Sequence, residues 1–389
     1  MNIKKIALIP DRFASYRLTI FQKLSDQKLN NFKLTIFADV HEDIKGIKIA
    51  DSSYANTELE CGGIIWEKVR NFTFKNICFW QSKVFFLPFR RDFDAFIYWG
   101  EANRISTWFS CIIAKLLGRK IVFWSHGIYG NEKPIKLYIR KLFYKFADAF
   151  LLYSDYGKSQ MIKNGFEKNK IFVIKNSLNV DRQNFLFQQH KNSNIKEGCS
   201  QFDSKSRMLI FLGRLEPKKK IHLLIHGLSE LRAKTGEDYK LLIIGEGGAE
   251  KSLKTLVSKL NLASHVIFYG ACYDDNILAP LFISSDLCVS PGNVGLLAMH
   301  SLIYGTPVIT HDDFSLQMPE FEVIKPLVSG DYFRFNDLDN MVEKIIKVIS
   351  LIDEGLIDAS SCRQEILGTY NSEYQHRIFH QMLAFLNRQ

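Results

Sequence analysis

The residues best suited to chemistry lie in one run, Phe211-Leu212-Gly213-Arg214-Leu215-Glu216-Pro217-Lys218-Lys219-Lys220. An apolar stretch ends at Gly213, where the missing side chain lets a ligand approach the backbone. Arg214 follows at once, and three lysines stand four to six residues further on. A guanidinium fork and an ammonium point charge suit a diphosphate. If that diphosphate is a leaving group, the same charges stabilise it as negative charge builds. The competing reading is a solvated basic loop. An arginine directly after a strand-end glycine is not a typical solvent position.

Two glycine-rich loops follow. Ile244-Gly245-Glu246-Gly247-Gly248 ends an apolar run and precedes a helical one. Gly245 and Gly247 could permit a tight turn beside a helix N-terminus, which attracts anions, or could serve a plain turn. Tyr269, in Phe268-Tyr269-Gly270, could flank a base. Ser290-Pro291-Gly292-Asn293-Val294-Gly295-Leu296 enters another helix, which runs to Gly305-Thr306-Pro307-Val308-Ile309. Free backbone N–H groups near Asn293, Val294, Gly295 and Leu296 could hold a phosphate.

The first half has its own candidates. His126 sits at the tip of the run Ile121–Trp124, just before Gly127. It is either a site imidazole or a histidine bonded to a neighbouring loop. Arg12, Tyr16 and Arg17 follow the first apolar run, where they could contact an acceptor or form a surface loop. Glu101 follows Trp99-Gly100, as a site carboxylate or a helix-start carboxylate. The aromatics between Phe72 and Phe86 could face lipid, but aromatic stripes are more often core.

Alternating apolar runs and amphipathic stretches must position these residues, the pattern of a parallel sheet wrapped by helices. In the first half, strands are predicted at Ile6–Ile9, Lys33–Ala38, Ala95–Trp99, Lys120–Trp124, Ala149–Tyr153 and Ile171–Ile174. Helices are predicted around Leu18–Leu24 and Thr107–Leu117, and 51–80 reads as irregular. The polar segment 188–207 then reads as a linker. The alternation restarts with strands at Met208–Leu212, Tyr239–Ile244, Val266–Tyr269, Leu287–Val289 and Pro307–Thr310. Helices are predicted at His222–Lys234, Ala249–Leu260, Leu296–Tyr304 and Leu338–Ile352, with a last one at Tyr374–Leu386. The α/β organisation expected is a domain over 1–186, a linker over 187–207, a second domain over 208–371 and a C-terminal helix over 372–389 that could pack back on the first domain. In such sheets ligands bind beyond the carboxyl ends of the strands.

The 389 residues suit two domains. A hydrophobic share of 47% gives each half a core, and 51 basic against 41 acidic residues point to anionic partners. Nucleic acid is not favoured, since the cations are scattered and no recognition signature appears. Cys61, Cys78, Cys111, Cys199, Cys272, Cys288 and Cys362 form no C-x-x-C pair and read as reduced core thiols. No apolar run reaches the roughly 18 residues of a membrane span. The N-terminal residues lack signal-peptide character. A cytoplasmic protein, peripheral on the inner face of the cell membrane at most, is expected. Asp274-Asp275 and Asp312-Asp313 read as turn residues and helix caps rather than metal ligands.

In order along the chain, Ser125-His126-Gly127, Asn176 in Ile174-Lys175-Asn176-Ser177-Leu178, Gly213-Arg214-Leu215 with Lys219, and Gly305-Thr306-Pro307-Val308-Ile309 resemble glycosyltransferase family 4. That family comprises retaining sugar-nucleotide enzymes of GT-B fold, two Rossmann-like domains facing each other across a cleft. Lys220 stands where the family usually has glycine. Two glutamates eight positions apart are also usual ahead of the Gly-x-Pro, and here those places hold Gly292 and His300. His300 could still bond a ribose hydroxyl, and Glu320 or Glu322 could supply the sugar contact.

The resemblance implies a transfer without metal or other cofactor, with a nucleotide sugar as co-substrate. Arg214 and Lys219 would neutralise the leaving diphosphate, and His126 would lie near the transferred sugar. It implies a glycan or polyprenyl-diphosphate-linked acceptor in the assembly of a cell-surface polysaccharide such as capsule or lipopolysaccharide O-antigen. The alternative is a non-catalytic nucleotide-sugar-binding or scaffold protein of the same fold.

Overall fold

The computed structural model describes residues 3–39, 63–74, 77–192 and 206–389. They form two compact units, Met1–Leu178 with Asn371–Gln389, and Asn179–Tyr370.

The strands of unit 1 are β1 (Lys5–Ile9), β2 (Lys33–Ala38), β3 (Ile65–Lys68), β4 (Asn71–Phe74), β5 (Ile77–Gln81), β6 (Ala95–Trp99), β7 (Lys120–Ser125), β8 (Ala149–Leu152) and β9 (Ile171–Val173). Seven of them pair in parallel in the order β3-β2-β1-β6-β7-β8-β9, and β4 with β5 forms a separate antiparallel hairpin. The central strands are buried almost throughout, as a sheet covered on both faces requires. Alternate side chains feed two cores. Leu8, Ile36, Ile97 and Val122 enter one. Ala7, Phe37, Phe96 and Phe123 enter the other. The helices here are α1 (Leu18–Ser25), α2 (Ile105–Leu116), α3 (Pro134–Tyr144) and α4 (Asp155–Lys163).

Unit 2 opens with α5 (Val180–His190). It continues through β10 (Arg207–Leu212), α6 (Ile221–Thr235), β11 (Tyr239–Ile244), α7 (Glu250–Lys259), β12 (Val266–Gly270), α8 (Asp275–Ile283), β13 (Leu287–Ser290), α9 (Leu296–Ile303), β14 (Val308–His311), β15 (Gly330–Phe333), α10 (Leu338–Asp353) and α11 (Ala359–Thr369). Its sheet is parallel, in the order β12-β11-β10-β13-β14-β15. The last helix, α12 (Ser372–Asn387), belongs to unit 1. There Phe379, Met382 and Leu386 enter the core beside Phe32, and Gln375 Nε2 donates to the Lys175 carbonyl at 3.0 Å.

The division falls at 178/179 rather than at the expected 186/187. The reason is α5, which packs on unit 2. Arg182 Nη2 donates to Asn276 Oδ1 at 2.9 Å, and the Arg363 guanidinium lies 3.5 Å from the Phe187 ring centre. Most of the expected linker, residues 193–205, lies outside the described residues. The stretch read as irregular yields β3 and the β4–β5 hairpin, short elements whose apolar pattern is too brief to be distinctive.

The side chains between Phe72 and Phe86 correct the core reading, because Phe72, Phe74, Phe79 and Phe86 are exposed. Cys111, Cys288 and Cys362 are buried free thiols, whereas Cys272 is half-exposed. Cys61 and Cys199 lie outside the described residues. Asp274 caps α8 by accepting from the Asn276 N–H, and Asp313 caps the short turn Phe314–Leu316.

Strand order reverses between β1 and β6 in unit 1, and between β10 and β13 in unit 2. Those reversals open crevices at the carboxyl ends of the strands. Arg12, Tyr16, Arg17, Glu101 and His126 line the first, and Gly213 ends a strand beside the second.

Candidate functional site

In unit 2 the site grows from β10. Gly213 leaves the strand with φ at 154°, and its N–H donates to the Ile244 carbonyl at 2.9 Å. The following turn is zipped to the loop after β11, since Leu215 N–H donates to the Glu246 carbonyl at 2.9 Å. Only glycines allow this approach. A Cβ on Gly245 would lie 1.9 Å from the Gly213 carbonyl oxygen, and one on Gly247 would lie 2.4 Å from that of Leu215. The Gly245 N–H is committed to the Gly270 carbonyl at 2.7 Å. Gly245 and Gly247 thus have a packing role at this crossing of backbones, and α7 begins at Glu250.

The lysine run forms a short helical turn, Pro217–Lys219. Lys220 adopts left-handed φ of 51°, which explains why glycine would suit this position. Lys219 is half-buried, and its Nζ donates to the Asn293 carbonyl at 2.6 Å. Burial pulls its pKa down to about 8, helped by Lys218 and Arg214 and opposed by Glu216 and Glu320. Arg214 is exposed, with its guanidinium 3.1 Å from Glu216 Oε1. Lys218 lies 2.9 Å from the other oxygen of that carboxylate and holds its pKa below the usual range.

Gly292 now has a physical reason. A Cβ there would sit 2.2 Å from the Lys218 carbonyl oxygen and 2.6 Å from Lys219 Cα. The lysine turn occupies the space a glutamate would need. The rest of this loop is fixed by Gln317, whose Oε1 accepts from the Val294 N–H at 2.9 Å while its Nε2 donates to Thr310 Oγ1 and the His311 carbonyl. Gly295, at φ 56°, caps α9.

Glu320 is 3% exposed on the short helix Pro319–Val323 and lies close enough to Lys219 to favour its charged form. Glu322 is half-buried and acts on the Tyr332 phenol. The fold thus brings Gly213, Lys219, Asn293–Leu296 and Glu320 together. Tyr269 stands exposed on the edge strand β12. His300 turns toward α5 and α8, with Nδ1 3.1 Å from Gln183 Nε2 and 3.9 Å from Asp275.

In unit 1 a cavity of about 740 Å³ opens at the ends of β1, β6, β7 and β8. It is lined by the predicted Arg12, Tyr16, Arg17, Glu101 and His126. His126 is positioned by the start of α4, where a Cβ on Gly157 would lie 2.5 Å from the His126 carbonyl oxygen. Ser154 caps that helix by accepting from the Gly157 N–H at 3.0 Å. The imidazole lies 4.9 Å from the Tyr153 ring and 5.6 Å from the Tyr129 ring. Burial, then Arg17 and Arg140, lower its pKa to about 4, so it is neutral at physiological pH. Its Nδ1 has no hydrogen-bond partner among the described residues. Glu101 pairs with the buried Arg104 at 3.0 Å.

Sequence reasoning missed Tyr129, Lys136, Arg140, Tyr144 and Tyr153. Arg140 and Lys136 lie on α3, whose start is marked by Pro134 at its first position, a usable signal. The tyrosines carried none, because Tyr129 in a loop, Tyr144 at the end of α3 and Tyr153 after β8 look like ordinary packing residues until the topology is known. Among the described residues, no group of three or more His, Cys, Asp or Glu could hold a metal ion.

Two families match the chain. Residues 77–182 match the family described as Glycosyltransferase Family 4, and residues 193–354 match Glycosyl transferases group 1. An uncharacterised 41.2 kDa protein in the cps region of Klebsiella pneumoniae is 27% identical over 54% of this chain and 55% of its own length. In Campylobacter jejuni, the N-acetylgalactosamine-N,N'-diacetylbacillosaminyl-diphospho-undecaprenol 4-alpha-N-acetylgalactosaminyltransferase is 27% identical over 46% of each chain. The chain thus spans about half the length of these curated relatives. Among solved structures, Anabaena HepE in complex with UDP superimposes with a TM-score of 0.70 over 100% of both chains, at 16% identity. With a glycosyltransferase family matched in each half and a full-length fold likeness, the chain is similar to the family 4 and group 1 glycosyltransferases and has a GT-B fold of two Rossmann-like units.

Proposed function

We propose that the protein transfers a sugar, with retention and without a metal, from a nucleotide sugar held by unit 2 to a glycan or polyprenyl-diphosphate-linked acceptor held by unit 1. The observation that carries this reading is the half-buried Lys219 ammonium, fixed on the Asn293 carbonyl at the strand-order reversal of unit 2. There it stands beside the first turn of α9, whose leading N–H groups attract phosphate. Transfer breaks the bond between the sugar and the diphosphate and forms one to the acceptor oxygen. The hydroxyl proton ends on the departing diphosphate. Lys219 and Arg214 stabilise the charge that builds there. The neutral His126 offers a hydrogen bond to sugar or acceptor without adding charge.

The UDP bound by HepE supports a nucleoside diphosphate as the donor's leaving group. The Campylobacter relative, named for a diphospho-undecaprenol substrate, supports a diphospho-lipid acceptor, and the cps-region relative supports a place in surface polysaccharide assembly. The alternative of a binding protein without turnover draws on Gly292 and His300 standing where the family has glutamates, and the lysine turn accounts sterically for the first. Arg214→Ala is expected to lower the transfer rate at least tenfold, about 1.4 kcal/mol, measured as nucleoside diphosphate release in the presence of acceptor. Unchanged release would rule out Arg214 as part of the grip.

A cytoplasmic protein docked on anionic membrane also fits unit 1. Ile105, Phe109, Ile112 and Leu116 form an exposed stripe at helical spacing on α2. Phe109 lies 6.4 Å from Trp80 of β5 and 6.0 Å from Phe85, so the stripe continues into the exposed rings of the hairpin and of Phe86. On α3, Ile135, Tyr138 and Ile139 are exposed beside Lys133, Lys136 and Lys141. Contiguous apolar surface next to lysines suits an anionic bilayer. The protein should sediment with vesicles rich in anionic lipid at low salt, and Phe109→Asp combined with Leu116→Asp should abolish this. No sedimentation of the unaltered protein would refute the docking.

A further inference from the structure

The unit 1 cavity contains a charge that the transfer chemistry above does not use. Arg17 is 6% exposed and lines the cavity. Its Nη2 donates to the Tyr153 hydroxyl at 2.7 Å and its Nε to that of Tyr16 at 3.2 Å. The guanidinium carbon lies 4.9 Å from the Trp99 ring and 5.6 Å from the Trp124 ring. Among the described residues, no carboxylate lies within ion-pair distance of it. Nearby arginines are treated differently. Arg140 pairs with Glu132 at 3.1 Å, and Arg104 takes both carboxylates of the cavity wall, Glu101 at 3.0 Å and Asp11 at 3.4 Å.

Rings and neutral hydroxyls return only part of the cost of taking a guanidinium out of water. Burial raises the Tyr153 pKa, so that hydroxyl does not act as a counter-ion. An arginine cannot relieve the cost by losing its proton. No described residue supplies the counter-ion, so a ligand entering the cavity is placed to supply it, and the planar fork suits a carboxylate or a phosphate. The surrounding rings offer flat apolar faces to a sugar.

We propose that the ligand of this cavity carries an anionic group, a carboxylate or a phosphate, that docks on Arg17 within the ring of Tyr16, Trp99, Trp124 and Tyr153. The proposal rests on the reading that unit 1 receives the acceptor. It narrows that acceptor to one that is charged close to the hydroxyl being glycosylated.

The test is calorimetric titration of the full-length protein with D-glucuronate, glucose 1-phosphate, farnesyl diphosphate and D-glucose. At least one anionic probe should bind tenfold or more tighter than glucose, and Arg17→Met should erase that preference. Binding confined to glucuronate points to an acidic sugar. Binding of the phosphate probes points to a phosphorylated sugar or the lipid carrier. Arg17→Met removes a buried charge while keeping bulk, so its melting temperature should equal or exceed that of the unaltered protein. A fall of several degrees would mark Arg17 as a structural group instead. Should that variant fail to fold, Arg17→Lys, which keeps the charge but loses the fork, is expected to weaken anion binding severalfold. Glucose binding as tightly as every anion, anion binding that survives loss of Arg17, or no anion binding at all would overturn the proposal. UDP, GDP and ADP are titrated in parallel. If all three fail to bind while the anion does so through Arg17, the transferase reading fails and the cavity assignment stands.

Discussion

Lys219→Ala is expected to cut sugar transfer at least a hundredfold, about 2.7 kcal/mol of transition-state stabilisation. The loss should fall on kcat as well as kcat/KM, because the ammonium acts most strongly where leaving-group charge develops. The half-buried position of Lys219 gives this prediction a pH signature. With its pKa near 8, the lysine loses its charge as pH rises above that value. The rate should fall along with it, and Lys219→Ala should lack this limb. Stability should move the other way. The folded state holds the Lys219 proton less tightly than the unfolded chain does, so between about 8 and the ordinary lysine value of 10.5 the unfolded state binds more protons. Unfolding free energy therefore gains a rising contribution across that window. Urea unfolding at several pH values should show this gain in the unaltered protein relative to Lys219→Ala.

Gly292→Glu is expected to damage the protein rather than improve it. If the absent carboxylate alone limited activity, adding it would raise transfer. The geometry predicts the reverse. The new Cβ would meet backbone atoms, the Lys218 carbonyl oxygen at 2.2 Å and Lys219 Cα at 2.6 Å, and no rotamer relieves an overlap at Cβ. The lysine turn must move, at a cost of about 1–3 kcal/mol, and it carries the Lys219 ammonium away from Asn293. Gly292→Ala should therefore show most of the effect. Scanning calorimetry should give a Tm lower by about 2–4 °C per kcal/mol, with loss of nucleoside diphosphate binding. An active, unshifted Gly292→Glu protein would show that the turn gives way cheaply.

Much of the fold could be read directly because parallel strands covered on both faces are continuous apolar runs. β1, β6, β7, β10, β11 and β14 lie close to where those runs place them. The cluster at the end of β10 was legible for a related reason. Gly213, Arg214 and Lys219 are close in sequence, so their meeting needs only one strand and one turn. Residues brought together by topology were not legible. Gln317 fixes the Val294 amide across 23 positions, and nothing local marks it. Tyr144 and Tyr153 look like core in sequence and become cavity wall only because β6, β7 and β8 are neighbours. Gly245, Gly247 and Gly292 each admit a neighbouring backbone, a role that no local pattern in the sequence shows. The α5 boundary was missed because its apolar face, Val180, Leu186 and Phe187, is too sparse to show which unit it serves.

The central claim is that unit 2 grips a pyrophosphate through Lys219. It is tested most directly by calorimetric titration with UDP, GDP and ADP, each against its own nucleoside. At least one diphosphate should bind tenfold or more tighter than the matching nucleoside, and Lys219→Ala should abolish that difference. Equal affinity for nucleoside and diphosphate throughout, or a diphosphate preference that persists without Lys219, would contradict the account.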